Sequence, residues 1–330
     1  MAALAVEGSI SQVRAAGPDF RVELIHDWDE AAAKLEGAVA QGRATPFQNR
    51  HWLGAWYRCS ASNESARPLI AVIRDARTRD VVVILPLIVR MHRGLRIAEF
   101  AGAADYNAPI LGPAATGSPT ETAAWWRRLC RELARLPGGC DLVRFRKMPA
   151  AMDGWVNPLA SVAGVQPSAL TGHLVQVGDD YDAYRYSLEK TVRKELERSW
   201  RVFAKHDGAE FKQVHDIDEA LRTFAALEAQ QSARMQDLGQ SYSLDDESST
   251  AFHRELIVRG LVNGYVILTA LTCGEETVAS LLGIRTGLHY VMVRRQGVVE
   301  LFARPAGHRA YDGDAPRRRR QDVRFQRRQL

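Results

Sequence analysis

Two clusters of β-branched apolar runs, one in each half of this 330-residue chain, constrain the fold more than any other feature. In the first half, RPLIAVIRD (67–75) and DVVVILPLIVRMH (80–92) flank a short polar turn and read as a strand hairpin, with GLRIAEFAG (94–102) as a further strand. In the second half, YVILTALTCG (265–274), ETVASLLGIRTG (276–287) and LHYVMVRR (288–295) read as three strands joined by tight glycine turns. Helical patterns precede each cluster. After a first strand at 20–25, Asp27 to Glu30 open a helix over 29–40, with acids in its first turn where the helix dipole favours them. A second, aromatic-rich helix follows the Thr-Pro turn at 45 and runs to 59, with Phe47, Trp52 and Trp56 able to share a core-facing side. Later in the chain, 179–208 reads as one long helix ending at Gly208, 209–214 as a strand, 216–235 as a helix and 250–260 as another. Asp216 is placed to cap the helix at 216–235, with Glu219 positioned for a capping box. The remaining elements are a loop and strand at 105–113, a helix at 119–136, and strands at 141–149 and 172–177. Both halves share one rhythm, a strand, then helices, then antiparallel strands. That repetition implies a duplicated α+β unit.

The expected organisation is a disordered leader (1–19), an N-terminal lobe (20–150), an Ala/Pro/Gly-rich linker (151–171), a C-terminal lobe (172–295) and an arginine-rich tail (296–330). Apolar content of 46% with 25% charged residues suits a globular chain that buries a core. No apolar run approaches the roughly 20 residues needed to span a bilayer. The leader lacks a basic segment ahead of an apolar stretch, so the cytoplasm is the expected compartment. Cys59, Cys130, Cys140 and Cys273 show no CxxC spacing, which argues against a zinc site or a disulfide framework. The net charge of +5 is uneven: residues 294–330 hold eleven arginines against four acids, a net +7, which leaves residues 1–293 at −2. A basic tail of this kind could grip nucleic acid or an acidic surface.

TPFQ followed by WLGAW (45–56), the ILPL run (84–87) and GLR, EFAG and DY within 94–106 resemble the CelD/BcsL-like (BioF-like) acetyltransferases of the GNAT superfamily. So do Lys190 and Arg193 in K-x-x-R, Gly208 and Phe211 in G-x-x-F, and the strands of 264–293. The resemblance covers roughly residues 20–295, and that family is related to FemAB-type transferases. It implies an α+β protein of tandem GNAT-like (acyl-CoA N-acyltransferase) folds, with mainly antiparallel sheets flanked by helices. It further implies acetyl-CoA or another acyl-CoA as donor, no metal, and a small-molecule, saccharide or peptide acceptor bearing an amine or hydroxyl. By family analogy the pathway would be exopolysaccharide, cellulose or envelope synthesis. The pattern should continue through a Ser-Pro-Gly turn, a strand resembling FDFSVGN and a Tyr-x-x-Lys segment, and residues 296–330 contain none of these. Read one nucleotide out of register, codons for 300–305 can encode N-C-S-P-G and those for 319–329 can encode D-G-R-T-F-D-F-S-V-G-N. A frameshift near 294–299 is therefore expected, and nucleic acid enters as a partner only if the basic tail is native.

GNAT-type chemistry needs a helix N-terminus for the pyrophosphate, a strand edge to polarise the thioester and a route for the acceptor's proton. Strands within 276–293 are the candidates for that edge. Asp105 could hold an amine and Tyr106 relay a proton, or the pair could form an Asx-type turn with a packed tyrosine. Lys190 and Arg193 could bind phosphates of CoA or of an anionic acceptor, or belong to a solvated, ion-paired helix face. Glu228 and Arg234 precede a Gly/Ser/Asp-rich loop (237–249) that could close over the acceptor, and Arg234 could pair with a substrate carboxylate. His289 and Tyr290 lie on the strand nearest the expected donor site, where His289 is either a base or a satisfied strand residue. Two rival functions stand beside acyl transfer from CoA: a tRNA-dependent aminoacyl transfer of the FemAB type, and a non-enzymatic nucleic-acid-binding module.

Overall fold

Strand β1 (Phe20–Ile25) leads into α1 (Trp28–Gln41), whose first turn is capped by the Asp27 carboxylate accepting from the Glu30 N–H at 2.7 Å. This computed structural model describes residues 18–60, 66–102, 104–152, 154–168, 172–240 and 246–297. Thr45 accepts from Phe47 N and opens a 3-10 turn, Pro46–Gln48, ahead of α2 (Arg50–Ser60). Strands β2 (Ala66–Asp75), β3 (Val81–His92) and β4 (Leu95–Phe100) then form an antiparallel meander. Short β5 (Ile110–Leu111) pairs with the start of β3, α3 (Pro119–Arg135) crosses over, and β6 (Leu142–Val143) returns parallel to β4. The sheet order is β1-β2-β3-β4-β6.

Alternate side chains of β2 and β3 point to opposite faces, and both faces are buried. On one face Ile70, Val72, Ile84 and Ile88 pack with Trp28, Ala31 and Leu53 of the first two helices. On the other, Leu69, Ala71, Ile73 and Leu85 meet Trp125, Leu129 and Leu133 of α3. Residues expected to be a linker join this second layer. They form the small hairpin of β7 (Ala151–Met152) and β8 (Trp155–Val156) and a 3-10 turn (Pro158–Ser161), and Trp155 and Leu159 are buried against α3's cluster.

The second lobe repeats the pattern. After α4 (Tyr181–Ser187) and α5 (Lys190–Phe203) come β9 (Ala209–Val214), α6 (Ile217–Asp237) and α7 (Glu247–Gly260). Strands β10 (Val266–Cys273), β11 (Glu276–Thr286) and β12 (His289–Gly297) complete an antiparallel sheet of order β12-β11-β10-β9. Strand, two helices, then three meandering strands is also the path of β1-α1-α2-β2-β3-β4, in the same spatial order, so the duplicated unit inferred from sequence rhythm is present. The two copies meet through their second helices: Trp52 of α2 lies edge-on to Phe252 of α7 at 4.9 Å. The Tyr265 hydroxyl donates to the Pro46 carbonyl at 2.8 Å across the same seam. One continuous cluster therefore holds Trp52, Leu53 and Ile84 together with Phe224, Phe252, Leu268 and Ile284.

Several expected elements need correction. The strand expected at 172–177 is not formed: the segment pairs with no strand among the described residues, and Leu174 is 76% exposed. Alternation alone does not make a strand without an edge to pair with. The helix expected over 179–208 breaks between α4 and α5, where the Ser187 hydroxyl bonds the Tyr184 carbonyl and the Arg193 guanidinium bonds that of Tyr186. Side chains there take the carbonyls that a continuous helix would use. That helix also ends earlier, with Ala204 as C-cap, and Gly208 adopts a left-handed conformation (φ +67°) in the turn into β9. Asp216 does cap α6, but the Glu219 carboxylate pairs with Lys212 at 2.5 Å rather than closing a capping box. The strand expected over 141–149 shrinks to β6. Arg294 and Arg295, counted above with the basic segment, belong to β12. Of the tail (296–330), only Gln296 and Gly297 lie within the described residues, and most of the leader (1–19) also falls outside them.

Candidate functional site

A proline sets where the site opens. The Pro86 carbonyl accepts from Ala101 N at 2.9 Å, so its ring nitrogen faces the same side and has no proton to return. Pairing of β3 with β4 accordingly stops at Leu87 and Phe100, and the chain loops out over 101–109 before rejoining β3 as β5. Gly102 turns this loop with φ +94°; a Cβ there would lie 2.9 Å from the Trp52 indole nitrogen. The loop is tied to the strand end after β6. Asn107 N donates to the Lys147 carbonyl at 2.8 Å, and its side-chain amide donates to that of Arg146 at 3.2 Å. Lys147 is held in the left-handed region (φ +55°), and its ammonium donates to the Ala104 carbonyl at 3.1 Å, with Asp105 3.9 Å away. Together these segments form one wall of a cleft of about 490 Å³, and His253 of α7 with Val293 and Arg294 of β12 contribute the other.

Charged side chains of both signs crowd this cleft. Glu99 is shared between Arg90 and Arg144, the latter at 2.6 Å. From the second lobe, Arg294 has only 3% of its side chain exposed. It is held by the Gln231 amide oxygen at 2.9 Å and Glu228 at 3.4 Å, and lies 5.5 Å over the Phe224 ring. Thr250 donates to the same Glu228 carboxylate at 2.6 Å and fixes it beneath the arginine. Five cationic side chains (Arg90, Arg144, Arg146, Lys147, Arg294) thus line the cleft against two carboxylates, Glu99 and Asp105.

His253 adds a neutral group. Its Nδ1 lies 2.7 Å from the Ser249 carbonyl, an acceptor, so Nδ1 carries the proton and Nε2 keeps the lone pair. Burial, with Arg294 nearby, lowers its pKa to about 4 despite the opposing Ser249 bond. Stacking on Phe224 (5.6 Å between centroids) fixes the ring plane. Two further polar atoms of lining residues, Trp52 Nε1 and Asn107 Oδ1, are buried with no hydrogen-bond partner among the described residues.

A second hollow of about 510 Å³ is shallower and lies at the seam between Asn49–His51 and Asn263–Tyr265, against the β11–β12 turn. The His51 Nε2 there sits 2.9 Å from the Asn263 amide nitrogen, and burial lowers the ring's pKa, with Arg50 contributing. The first cleft is the better candidate because the part-buried carboxylates Glu99 and Glu228 hold its arginines in place.

The residues singled out from sequence fall in several places. Asp105 is on the cleft rim, 64% exposed. Tyr106 turns into the shared core, edge-on to Phe47 at 4.8 Å. Glu228 supports Arg294 from behind. His289 and Tyr290 begin β12 opposite Thr286 and Arg285, five and four residues before Arg294, or roughly 13–17 Å along an extended strand. Tyr290 covers Gly283 on the neighbouring strand, and partial burial raises its hydroxyl pKa. Arg234 is exposed in the last turn of α6. Lys190 and Arg193 stand on exposed α5, where Arg193 lies over the Tyr186 ring at 5.4 Å. The proposed lid loop is described only in part, since residues 241–245 lie outside the described residues.

Sequence reasoning missed His253, Arg294 and the Glu99–Arg144 pair. Arg144 and Arg146 alternate within VRFRK, a pattern that places two cations on one side, and this was a usable signal. Arg294 was hidden among the other arginines, and nothing local distinguishes His253 from a solvated helix histidine. Among the described residues no cysteine is in a disulfide, and burial pushes the thiols of Cys59, Cys130 and Cys140 up. No described helix is long and apolar enough to cross a membrane, and among the described residues no three His, Cys, Asp or Glu side chains form a metal-ligand group.

Residues 190–304 match the family model described as an acetyltransferase (GNAT) domain. No curated protein sequence matches the chain. Among solved structures the chain is similar to a conserved protein of unknown function from Bacteroides thetaiotaomicron VPI-5482, with 11% identity, 85% of this chain and 82% of that chain covered, and a TM-score of 0.47. It is also similar to FemX, with 13% identity over 79% of this chain and 58% of that one, and a TM-score of 0.46. The second lobe is thus a GNAT-like α+β domain with an antiparallel sheet flanked by helices.

Proposed function

We propose that the chain is by lineage an acyltransferase that moves an acyl group from acyl-CoA to an amine or hydroxyl acceptor. The observation that carries this is the GNAT-domain match over 190–304, whose described part is α5 followed by the β9-α6-α7-β10-β11-β12 unit. In the proposed reaction the acceptor nitrogen or oxygen attacks the thioester carbonyl. A C–N or C–O bond forms, the C–S bond breaks, and the proton lost by the acceptor ends on the departing CoA thiolate. The edge of β12 not paired with β11, which meets no further strand among the described residues, is the proposed place for the thioester, since such an edge offers N–H groups to a carbonyl. The interlobe cleft beside it, lined by β12's own Val293 and Arg294, is the proposed acceptor site. Exopolysaccharide, cellulose or envelope synthesis, by family analogy, and a cytoplasmic setting, from the leader's composition, remain part of this reading.

The donor's pyrophosphate needs the N–H groups of a helix start. In this reading the Ser-Pro-Gly turn that would supply them lies in the adjacent reading frame, beyond a frameshift near 294–299. Resequencing the coding DNA across codons 285–330, with the adjacent frame translated beyond the stop, tests the frameshift. Open reading through Ser-Pro-Gly and Asp-Phe-Ser-Val-Gly-Asn is expected, and stops without those motifs would overturn it. Acetyl-CoA should stabilise the frame-repaired protein against heat in a saturable way and leave the present chain unmoved. No stabilisation of the repaired protein would sink the acyl-CoA reading.

A further inference from the structure

Three buried residues in the walls of the cleft each carry a polar atom with an open hydrogen-bond valence, and bonds made elsewhere fix what each atom can do. Asn107 turns its amide nitrogen to the Arg146 carbonyl at 3.2 Å, and a carbonyl only accepts, so Oδ1 is the atom left over. That oxygen is buried with no partner among the described residues. His253 commits its Nδ1 proton to the Ser249 carbonyl at 2.7 Å, so Nε2 presents a lone pair. No described group donates to that lone pair. The Trp52 indole N–H is the third, a donor with no acceptor among the described residues. All three residues line the same cleft of about 490 Å³, a size that suits a small molecule. Buried polar atoms are costly to leave unanswered, which makes this pattern informative about the ligand.

A carboxylate or phosphate only accepts, and would set its lone pairs against those of Asn107 and His253. An ammonium only donates, and would leave the Trp52 N–H unanswered. A hydroxyl does both, as the water it displaces would. Arg144 and Arg294 are already paired, with Glu99 and Glu228, and make no matching demand for an anion. We propose that the acceptor bound in the interlobe cleft is a neutral polyhydroxyl compound, a sugar or polyol, whose hydroxyls donate to Asn107 Oδ1 and His253 Nε2 and accept from Trp52 Nε1. Its role as acceptor rests on the acyl-transfer reading; its binding does not. Within that reading the acyl group passes to a hydroxyl oxygen: the C–O bond forms, the C–S bond breaks, and the hydroxyl proton ends on the departing thiolate. The product is an ester, not an amide.

Nitrogen-15 NMR of the full chain tests this with three probes built on one carbon ring. Inositol is the neutral polyol, cyclohexylamine is a cation at neutral pH, and cyclohexanecarboxylate is an anion. The His253 Nε2 signal, identified by its loss in His253→Gln, should move to lower frequency as it accepts a hydrogen bond from inositol, and the movement should saturate. Inositol binding should weaken about fivefold or more, the worth of one hydrogen bond, in His253→Phe, which retains an aromatic ring without the nitrogen, and in Asn107→Leu. The proposal is overturned if inositol leaves the wild-type signal in place, or if either charged probe moves it at lower concentration. Binding that ignores both substitutions, in variants that keep their far-UV dichroism, would overturn it as well. Acylation of amines but not of alcohols by the frame-repaired protein would also overturn it, while leaving acyl transfer standing. Inositol bound by a repaired protein that transfers no acyl group would remove the acyltransferase reading and leave the polyol site in place.

Discussion

His253 owes its state to its surroundings. Enclosed by Phe224 and Phe252 and facing Arg294, the ring is disfavoured as a cation, and its pKa falls to about 4 from an unfolded value near 6.5. The unfolded chain therefore binds a proton more readily than the folded one between those values. Stability from this group is full above about pH 6.5 and is lost as pH falls toward 4, by up to about 3 kcal/mol. Urea unfolding at pH 7 and pH 4.5 should show wild type losing clearly more stability than His253→Gln; equal losses would mean that the histidine is not held neutral. Neither this shift nor the Arg294–Glu228 pair is legible from local sequence. Both depend on contacts between α6, α7 and β12, segments separated by up to 66 residues. Asp105, by contrast, could be assigned to a cleft from its place after Gly102 at a strand end.

Elements were far more readable than side-chain contacts. Most strands and helices follow from period and caps, because alternation and helical spacing are local properties of the chain. The misread segments are those decided by a neighbour: 172–177 found no edge, and α4 and α5 were divided by side chains that took their carbonyls. Gly208 shows the same limit. Its left-handed backbone could be foreseen, but a Cβ there would also come within 2.6 Å of the Gly274 backbone nitrogen in the β10–β11 turn. Gly274 N in turn donates to the Gly208 carbonyl at 3.0 Å. Gly208→Ala should cost roughly 2 kcal/mol or more, from the left-handed strain plus displaced backbone. A midpoint in urea within a few tenths of a kcal/mol of wild type would show that the two turns are not in contact.

At the scale of the molecule, the two repeats share one hydrophobic cluster across α2 and α7. Unfolding should accordingly be cooperative across both lobes, with tryptophan fluorescence and far-UV dichroism changing together. Trp52 touches Phe47 of its own lobe at 4.8 Å and Phe252 of the other at 4.9 Å. Trp52→Ala should remove about 3–5 kcal/mol and lower that single transition. Two separated transitions in wild type would show that the lobes fold independently. The sequence by itself determined the α+β class, the repeated order of elements and most of their limits, since these rest on periodicity and capping within a few residues. Only the tertiary structure decided that Pro86 opens a cleft, that Arg294 is buried in the second lobe instead of joining a basic tail, and that five cations from both lobes converge there. Those outcomes depend on which distant segments pack together, and packing partners are not encoded in any local pattern.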